Sequence, residues 1–480
     1  MSSSPLAVVV LAAGAGTRML SRTPKVLHEL AGIPLIGHVL GTAQALNPAA
    51  LIAVVRHESD AVTDVIGDFA SDAIVVHQDE IPGTGRAVEL ALASIPQSVQ
   101  KVVVLSADVP LLDSATLQTT ISLHESEKAA VTVLTTVVDD ATGYGRVVRE
   151  PDGTVKAIVE HKDATEAERL ITEVNSGVYV FDVESLRKYL PALTTQNTQS
   201  EKYLTDVVGL AVADGLIVHA VLVEDSWLVE GVNDRIQLSS LARRLNDMII
   251  RGWQRDGVSI VDPQSVWIDL GVVLSPDVTV LPGVQLHGNT VVGEGATIGP
   301  DCTLRDTEVG ADATVVRSVA TEARIESGAS VGPFSFLRPG TTVGQDGKVG
   351  AFVETKNSSI GAGAKVPHLS YIGDAEIGEG ANIGAGTITA NYDGVNKHRT
   401  VVGPHARTGS DNVFVAPVTI GAGAYTAAGI TIRHDVPPGS LAVMPGTTRT
   451  VEGWVGDHRP GTASADAAAK ATTPPPPTRG

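Results

Sequence analysis

From about residue 262 the chain acquires a six-residue period, and that period limits what it can fold into more than any other feature. Ile325, Val331, Leu337, Val343 and Val349 stand six apart, and Val402, Thr408, Phe414, Ile420, Thr426 and Ile432 resume the spacing further on. Glycine often follows the aliphatic position, as at Val331-Gly332, Ile372-Gly373 and Val402-Gly403. Such a period suits a solenoid of short parallel strands. One aliphatic side chain per strand fills a narrow interior, and a small residue permits each turn. Residues Asn391 to His398 break the repeat and are expected to project from the coil as a loop.

Before the repeat the pattern is different. Apolar runs at Val8 to Leu11, Leu51 to Val55, Ala73 to Val76, Val102 to Leu105, Val131 to Val138 and Val178 to Phe181 alternate with segments of helical period. Runs of that kind, buried on both faces, predict an α/β layer fold with a mainly parallel sheet whose ligands gather at the carboxyl ends of strands. From Asp234, residues Ile236, Leu241, Leu245, Met248, Ile249 and Trp253 fall at helical spacing and predict a connecting helix. The expected organisation is an α/β domain over 1–233, a linker over 234–262, the repeat over 263–459 and a disordered Ala/Thr/Pro-rich tail over 460–480.

Charge narrows the functions open to the chain. With 480 residues and a formal net charge of -19 it repels nucleic-acid backbones and anionic lipid, so neither partner is expected. A phosphorylated ligand must be held by a few placed cations, by main-chain amides or by a metal. Cys302 is the only cysteine, which excludes an internal disulfide and a thiolate metal cluster and fits a reducing, cytoplasmic setting. The apolar Leu6 to Ala13 lacks a basic lead-in and runs into a Gly-rich turn, so it reads as a buried strand, not a secretory leader. No other stretch reaches the ~18 apolar residues of a membrane span.

The turn Gly14-Ala15-Gly16-Thr17-Arg18-Met19 follows that first strand, with Pro24-Lys25 seven residues after Thr17. Glycines 14 and 16 let the main chain approach a polyphosphate, and Arg18 and Lys25 supply local cations. Such a turn alone is weak evidence, because neither a dinucleotide fingerprint nor a P-loop accompanies it. Further matches occur in order: Gln78 with Pro82-Gly83-Thr84-Gly85, Leu105-Ser106-Ala107-Asp108-Val109-Pro110-Leu111, Gly143-Tyr144-Gly145-Arg146, Ile158-Val159-Glu160-His161-Lys162-Asp163, Glu173-Val174-Asn175-Ser176-Gly177 and Val229-Glu230-Gly231-Val232-Asn233. Over nearly its whole length the chain thereby resembles the bacterial bifunctional N-acetylglucosamine-1-phosphate uridylyltransferases.

That resemblance implies a Rossmann-like nucleotidyltransferase domain followed by a left-handed parallel β-helix. It implies two reactions: acetylation of glucosamine-1-phosphate by acetyl-CoA, then uridylyl transfer from UTP. Leu11, Ala12, Ala13, Gly14 and Lys25 would meet the nucleotide, with Arg18 and Lys25 catalytic. Gln78, Gly83 and Thr84 would read the uracil, Ser106 and Ala107 would flank the metal aspartate, and Gly145, Glu160 and Asn175 would hold the N-acetylglucosamine. Asp108 and Asn233 would bind Mg2+, an ion that accepts a small share of protein oxygens and keeps several waters. Many relatives carry Tyr-Gly or Ser-Gly where Ser106-Ala107 stand here.

In the repeat, acyl transfer to a sugar amine requires a base, since an ammonium group has no lone pair, and neutral histidine suits that task. His368, in Lys365-Val366-Pro367-His368-Leu369-Ser370-Tyr371-Ile372-Gly373-Asp374, is the candidate, and this stretch is similar to the family's acetyltransferase motif. The resemblance adds Arg338, Lys356, Tyr371 and Asn382 as sugar-phosphate contacts. It adds Asn391, Tyr392, Ala385, Ser410 and Ala428 around acetyl-CoA, and a homotrimer. Met444-Pro445, with Arg449 just after, stand where the family often has an arginine. Three other readings compete: a nucleotidyltransferase for another sugar with a structural solenoid, a non-catalytic scaffold of the same two domain types, and a solenoid carbonic anhydrase. His368, His398, His405 and His434 lack zinc-ligand spacing, which weighs against the last.

Overall fold

In this computed structural model residues 5–444, 446 and 450–472 are described. Contacts divide the chain into two units, Met1–Gly340 and Thr341–Gly480.

The first unit opens with β1 (Leu6–Ala12), β2 (Ala50–Val55), β3 (Ile74–His77), β4 (Lys101–Ser106) and β5 (Val131–Val137), followed by β6 (Arg146–Arg149), β7 (Val155–Val159), β8 (Glu173–Asp182) and β9 (Val218–Leu222). They form one sheet in the order β9-β5-β8-β4-β1-β2-β3, with β6 pairing β8 and β7. Ala7 pairs with Ala50 and Leu6 with Lys101, both in parallel, whereas β8 runs antiparallel to β4 and β5. The sheet is thus mainly parallel along its central path, and β8 is the exception.

Successive side chains of a strand face opposite ways, so a strand that is apolar at every position needs cover on both sides. Ala7, Val9, Ile52, Val54, Val102 and Val104 enter one core with Ala87, Val88 and Ala91 of the helix Thr84–Ala91. Val8, Val10, Leu51, Ala53, Val103 and Leu105 enter another with Ile36, Val39 and Leu40 of the helix Leu35–Gln44.

The connecting helix spans Arg235–Arg255, capped by the Asp234 carboxylate, which accepts from the main-chain N–H of Ile236 and Gln237. Its buried stripe is Leu241, Leu245, Asn246 and Ile250, while Ile236 and Met248 are exposed at the stripe's margins. Asn246 donates to the Val266 carbonyl at 2.8 Å and accepts from Ile268 N–H at 3.0 Å. One side chain thereby matches the hydrogen bonds a neighbouring strand would make. The coil begins at Ser259–Ile260, slightly ahead of the expected boundary.

Within the first unit, Ser259–Ile260, Thr279–Val280, Thr297–Ile298, Thr314–Val315 and Ser330–Val331 stack in parallel as one side of a coil. Strands from Trp267–Ile268 to Phe336–Leu337 form a second side, and those from Val273–Leu274 to Arg324–Ile325 a third. Three sides of about six residues complete each turn, so this is a parallel β-helix. The second unit repeats the arrangement. Glu354–Lys356, Tyr371–Gly373, Ile388–Ala390, Val413–Val415 and Thr431–Ile432 stack on one side, and Thr342–Val343 through Val418–Ile420 on another. All eleven residues in the six-residue register are buried. The segment after Asn391 does leave the coil, closed by a bridge between Tyr392 and Lys397.

The tail departs from expectation. Ala463–Thr472 is a helix, in keeping with the high helix propensity of its alanines. Residues 473–480 of the expected disordered tail lie outside the described residues.

Away from the carboxyl ends of the strands, His124 is buried with Nδ1 3.0 Å from Thr132 Oγ1. Burial, reinforced by Lys101 and His219 against the opposing pull of Asp182, lowers its pKa to about 4. A histidine held below its unfolded value is neutral in the fold. As pH falls from about 6.5 toward 4 the unfolded chain takes up a proton that the folded one refuses, and stability drops by up to about 3 kcal/mol. Urea midpoints recorded between pH 7 and 4.5 should fall less steeply for His124→Leu than for wild type. Phe414, fully buried in the coil, should cost about 3–5 kcal/mol when changed to alanine, read as a lower unfolding midpoint.

Candidate functional site

The turn after β1 brings two distant segments together. Gly16 has φ +59°, and a Cβ placed there would lie 2.5 Å from that of Lys25, so glycine lets the Lys25 main chain lie against the turn. A Cβ on Gly14 would meet nothing within 4 Å, leaving the front of the turn open. β4 ends at Ser106 alongside, and Ala107 N–H donates to the Leu11 carbonyl at 3.0 Å, which places Asp108 beside the turn.

At that point Lys25 pairs with Asp108 Oδ2 while Ser106 Oγ donates to Oδ1 at 2.6 Å. Asn233 reaches the same place from the other end of the domain: its Oδ1 is 3.5 Å from Lys25 Nζ and accepts from Arg18 at 2.7 Å. Burial would raise the Asp108 pKa, but the Lys25 charge and the bonds from Lys25 and Ser106 outweigh it and keep the carboxyl below its ordinary range. One carboxylate and one amide oxygen facing a common cation are hard donors suited to Mg2+, with Lys25 nitrogen standing where a cation is favoured. Among the described residues no cluster of three or more His, Cys, Asp or Glu could hold a metal by itself, so phosphate and water would complete the shell.

A cleft of about 340 Å³ opens here, lined by Leu11, Ala13, Gly14, Lys25, Gln78, Gly83, Thr84, Ser106 and Asp108. Gln78 Nε2 donates to the Ile81 and Gly83 carbonyls at 2.9 and 3.1 Å, which pins the loop leading into the helix Thr84–Ala91 and leaves its carbonyl oxygen for a ligand. Ala12 and Ala107 adjoin the cleft, but their side chains are buried in the core, so only their main chain can serve it. Arg56, His57 and Glu201 line it too and escaped the motif reading. Arg56 and His57 follow the carboxyl end of β2, the signal by which strand topology marks such positions.

Gly145, Glu160 and Asn175 form an adjacent group. Asn175 N–H donates to the Gly145 carbonyl at 2.9 Å, and a Cβ on Gly145 would sit 3.5 Å from the Glu160 carboxylate. Burial raises the Glu160 pKa, opposed by the Thr205 hydroxyl at 3.2 Å. The group abuts the cleft through Gly177, whose added Cβ would lie 3.7 Å from that of Ser106.

In the second unit His368 ends the strand Lys365–His368 and is exposed. Its carbonyl accepts from Ser370 Oγ at 2.8 Å, and among the described residues nothing hydrogen-bonds its ring. Tyr371 starts the next side, in register with Glu354 and Ile388, and Lys356 is paired with Gly373. Asp374 gathers this corner: it accepts from Asn357 and from the Asn391 amide. Partial burial opposes its ionisation, but those bonds with the charges of Lys397 and Lys356 hold its pKa down. Asn382 is bridged to Lys365 and Arg407. Ala385, Ser410 and Ala428 occupy equivalent corners of successive turns, with Asp411 N–H on the Ala385 carbonyl at 2.7 Å and Gly429 N–H on that of Ser410 at 2.8 Å. A Cβ on Gly384 would collide with Gly409, so the column is close-packed. Tyr392 is exposed on the projecting loop. Arg338 follows Phe336–Leu337 in the first unit. Arg449 lies outside the described residues.

A family model described as nucleotidyl transferase matches residues 7–275. Curated relatives named "Bifunctional protein GlmU" match nearly end to end: 57% identity with that of Clavibacter sepedonicus over 98% of this chain and 96% of the relative, and 56% with that of Micrococcus luteus over 97% of each. The relative from Leifsonia xyli subsp. xyli is 58% identical over 98% and 96%. Among solved structures, a UDP-glucose pyrophosphorylase complexed with UDP-glucose superposes with a TM-score of 0.43 at 16% identity, covering 51% of this chain and 99% of that one.

Gly83 has φ +115°, and a side chain there would collide with the Lys202 main chain. Gly83→Ala should destabilise the first unit by about 1–3 kcal/mol, read as a lower unfolding midpoint, and weaken nucleoside triphosphate binding at least tenfold, measured by calorimetry.

Proposed function

The chain belongs to the family of bifunctional GlmU proteins, and on that premise we propose that its two sites act in turn on one sugar phosphate to make UDP-N-acetylglucosamine. What carries the reading is the convergence of Asp108, Asn233, Lys25 and Arg18 at a cleft behind the Gly-rich turn, in a chain similar over its full length to bifunctional relatives.

In the repeat, His368 takes a proton from the ammonium of glucosamine-1-phosphate, freeing the lone pair to attack the thioester carbonyl of acetyl-CoA. The C–N bond forms as the C–S bond breaks, and the proton leaves with the thiol. Lys356, Tyr371 and Asn382 orient the sugar phosphate. Ala385, Ser410 and Ala428 offer a floor without bulky side chains for the acyl donor, beside Asn391 and Tyr392.

In the α/β domain a phosphate oxygen of N-acetylglucosamine-1-phosphate attacks the α-phosphorus of UTP, and pyrophosphate departs. Such transfers depend on in-line placement and charge neutralisation. Arg18, Lys25 and the open turn at Gly14 provide the placement. Asp108 and Asn233 would hold Mg2+, which would supply charge neutralisation to the phosphates. Gln78, Gly83 and Thr84 receive the uracil, and Gly145, Glu160 and Asn175 the acetylated sugar. Among the described residues no helix is long and apolar enough to cross a membrane. A cytoplasmic homotrimer, with acetyl-transfer sites completed between neighbouring copies, fits this reading and the exposure of His368.

His368→Ala should lower acetyl transfer by about 10²–10⁴-fold and leave uridylyl transfer within about twofold, and Asp108→Asn should do the reverse. Thiol release and pyrophosphate release, assayed separately on each folded variant, read the two steps. Loss of both activities from either change would refute two independent sites.

A further inference from the structure

Both oxygens assigned to the metal already face cations of the chain itself. Lys25 pairs with Asp108 Oδ2 and lies 3.5 Å from Asn233 Oδ1, where Arg18 also donates. Ser106 holds the other carboxylate oxygen. The Lys25 and Asp108 side chains are only 12% and 18% exposed, so solvent screens this pair weakly. A divalent ion could not approach those oxygens while the ammonium stays, because two cations would meet at close range in a shielded site.

Lys25 also has somewhere to go. Its main chain lies against Gly16, and its side chain lines the same cleft as Gly14 and Ala15, in front of which space is open. A long lysine side chain can cross from the carboxylate to the mouth of that turn by rotamer changes alone. A polyphosphate entering the cleft would bring a new anion to receive it.

Resting on the reading of Asp108 and Asn233 as metal ligands, we propose that Lys25 is a resident counter-ion, handed from Asp108 to the nucleotide's polyphosphate as a divalent ion takes its place. Without nucleotide a metal must evict the ammonium with nothing to compensate it, and binds weakly. With nucleotide the ammonium exchanges one anion for another. Metal and nucleotide therefore strengthen each other's binding by the same factor, and the carboxylate is never left bare.

The probe is Mn2+ titrated into the full-length protein without nucleotide, with free ion read by electron paramagnetic resonance. Lys25→Met removes the charge and keeps the length, and should bind Mn2+ at least tenfold more tightly than wild type. Lys25→Arg keeps a charge and should remain as weak as wild type. Adding Asp108→Asn to Lys25→Met should abolish the gain. Equal affinity in Lys25→Met and wild type, or equal tightening by Lys25→Arg, overturns the exchange. The ligand reading survives that result if Asp108→Asn still removes Mn2+ binding in the presence of UTP. Tight binding that persists in the double variant places the ion elsewhere and overturns both. Circular dichroism establishes that each variant is folded, and Lys25→Gln replaces Lys25→Met if the latter is not.

Discussion

The main-chain hydrogen bonding of one coil turn to the next governs the second half of this protein. Each short strand is two to four residues long and could not persist alone, but stacking satisfies its N–H and carbonyl groups from above and below. The buried residue of each side, from Val343 to Phe414 and Ile432, then fixes the rotation of every turn. Corner residues inherit their positions from that register. Ala385, Ser410 and Ala428 form a column without any bond between their side chains, and Asp374 meets Asn357 and Asn391 because the turns beneath and above deliver them.

The α/β half solves a different problem, which is to hold polyanions in a molecule of net charge -19. Long-range field works against such ligands, so attraction must be local and short. Arg18 and Lys25 are placed by one Gly-rich turn, and Asn233 and Asp108 hold them there. The depressed Asp108 pKa and the raised Glu160 pKa belong to two carboxyls that burial alone would push the same way. They differ because one has an ammonium partner and the other has only a hydroxyl.

Strong periodicity makes much of this legible in the sequence alone. The six apolar runs of the first half are strands and the eleven positions of the repeat are buried, because burial on both faces or in a narrow interior leaves a composition signal that little else imitates; the run at Ala73 to Val76 is the exception, an edge strand with Ile74 and His77 exposed. Strands β6, β7 and β9, partly exposed and mixed in composition, carry no such signal. The helix Ala463–Thr472 was obscured by the prolines beyond it. At the site, residues inside motifs are legible in the sequence, but Arg56 and His57 from one loop and Glu201 from another line the cleft only through folding, and spacing alone cannot reveal that. Asp374 ends the Lys365–Asp374 motif, yet its partners Asn357 and Asn391 meet it only where successive turns stack.

A stack of parallel strands has two ends, and each end offers unpaired main chain to any extended segment that drifts by. Asn246 bonds to Val266 and Ile268 at the start of one side, so a single amide on a helix acts as a plug there. The helix that bears Asn246 thus covers the main chain at the start of that side as well as leading into the coil.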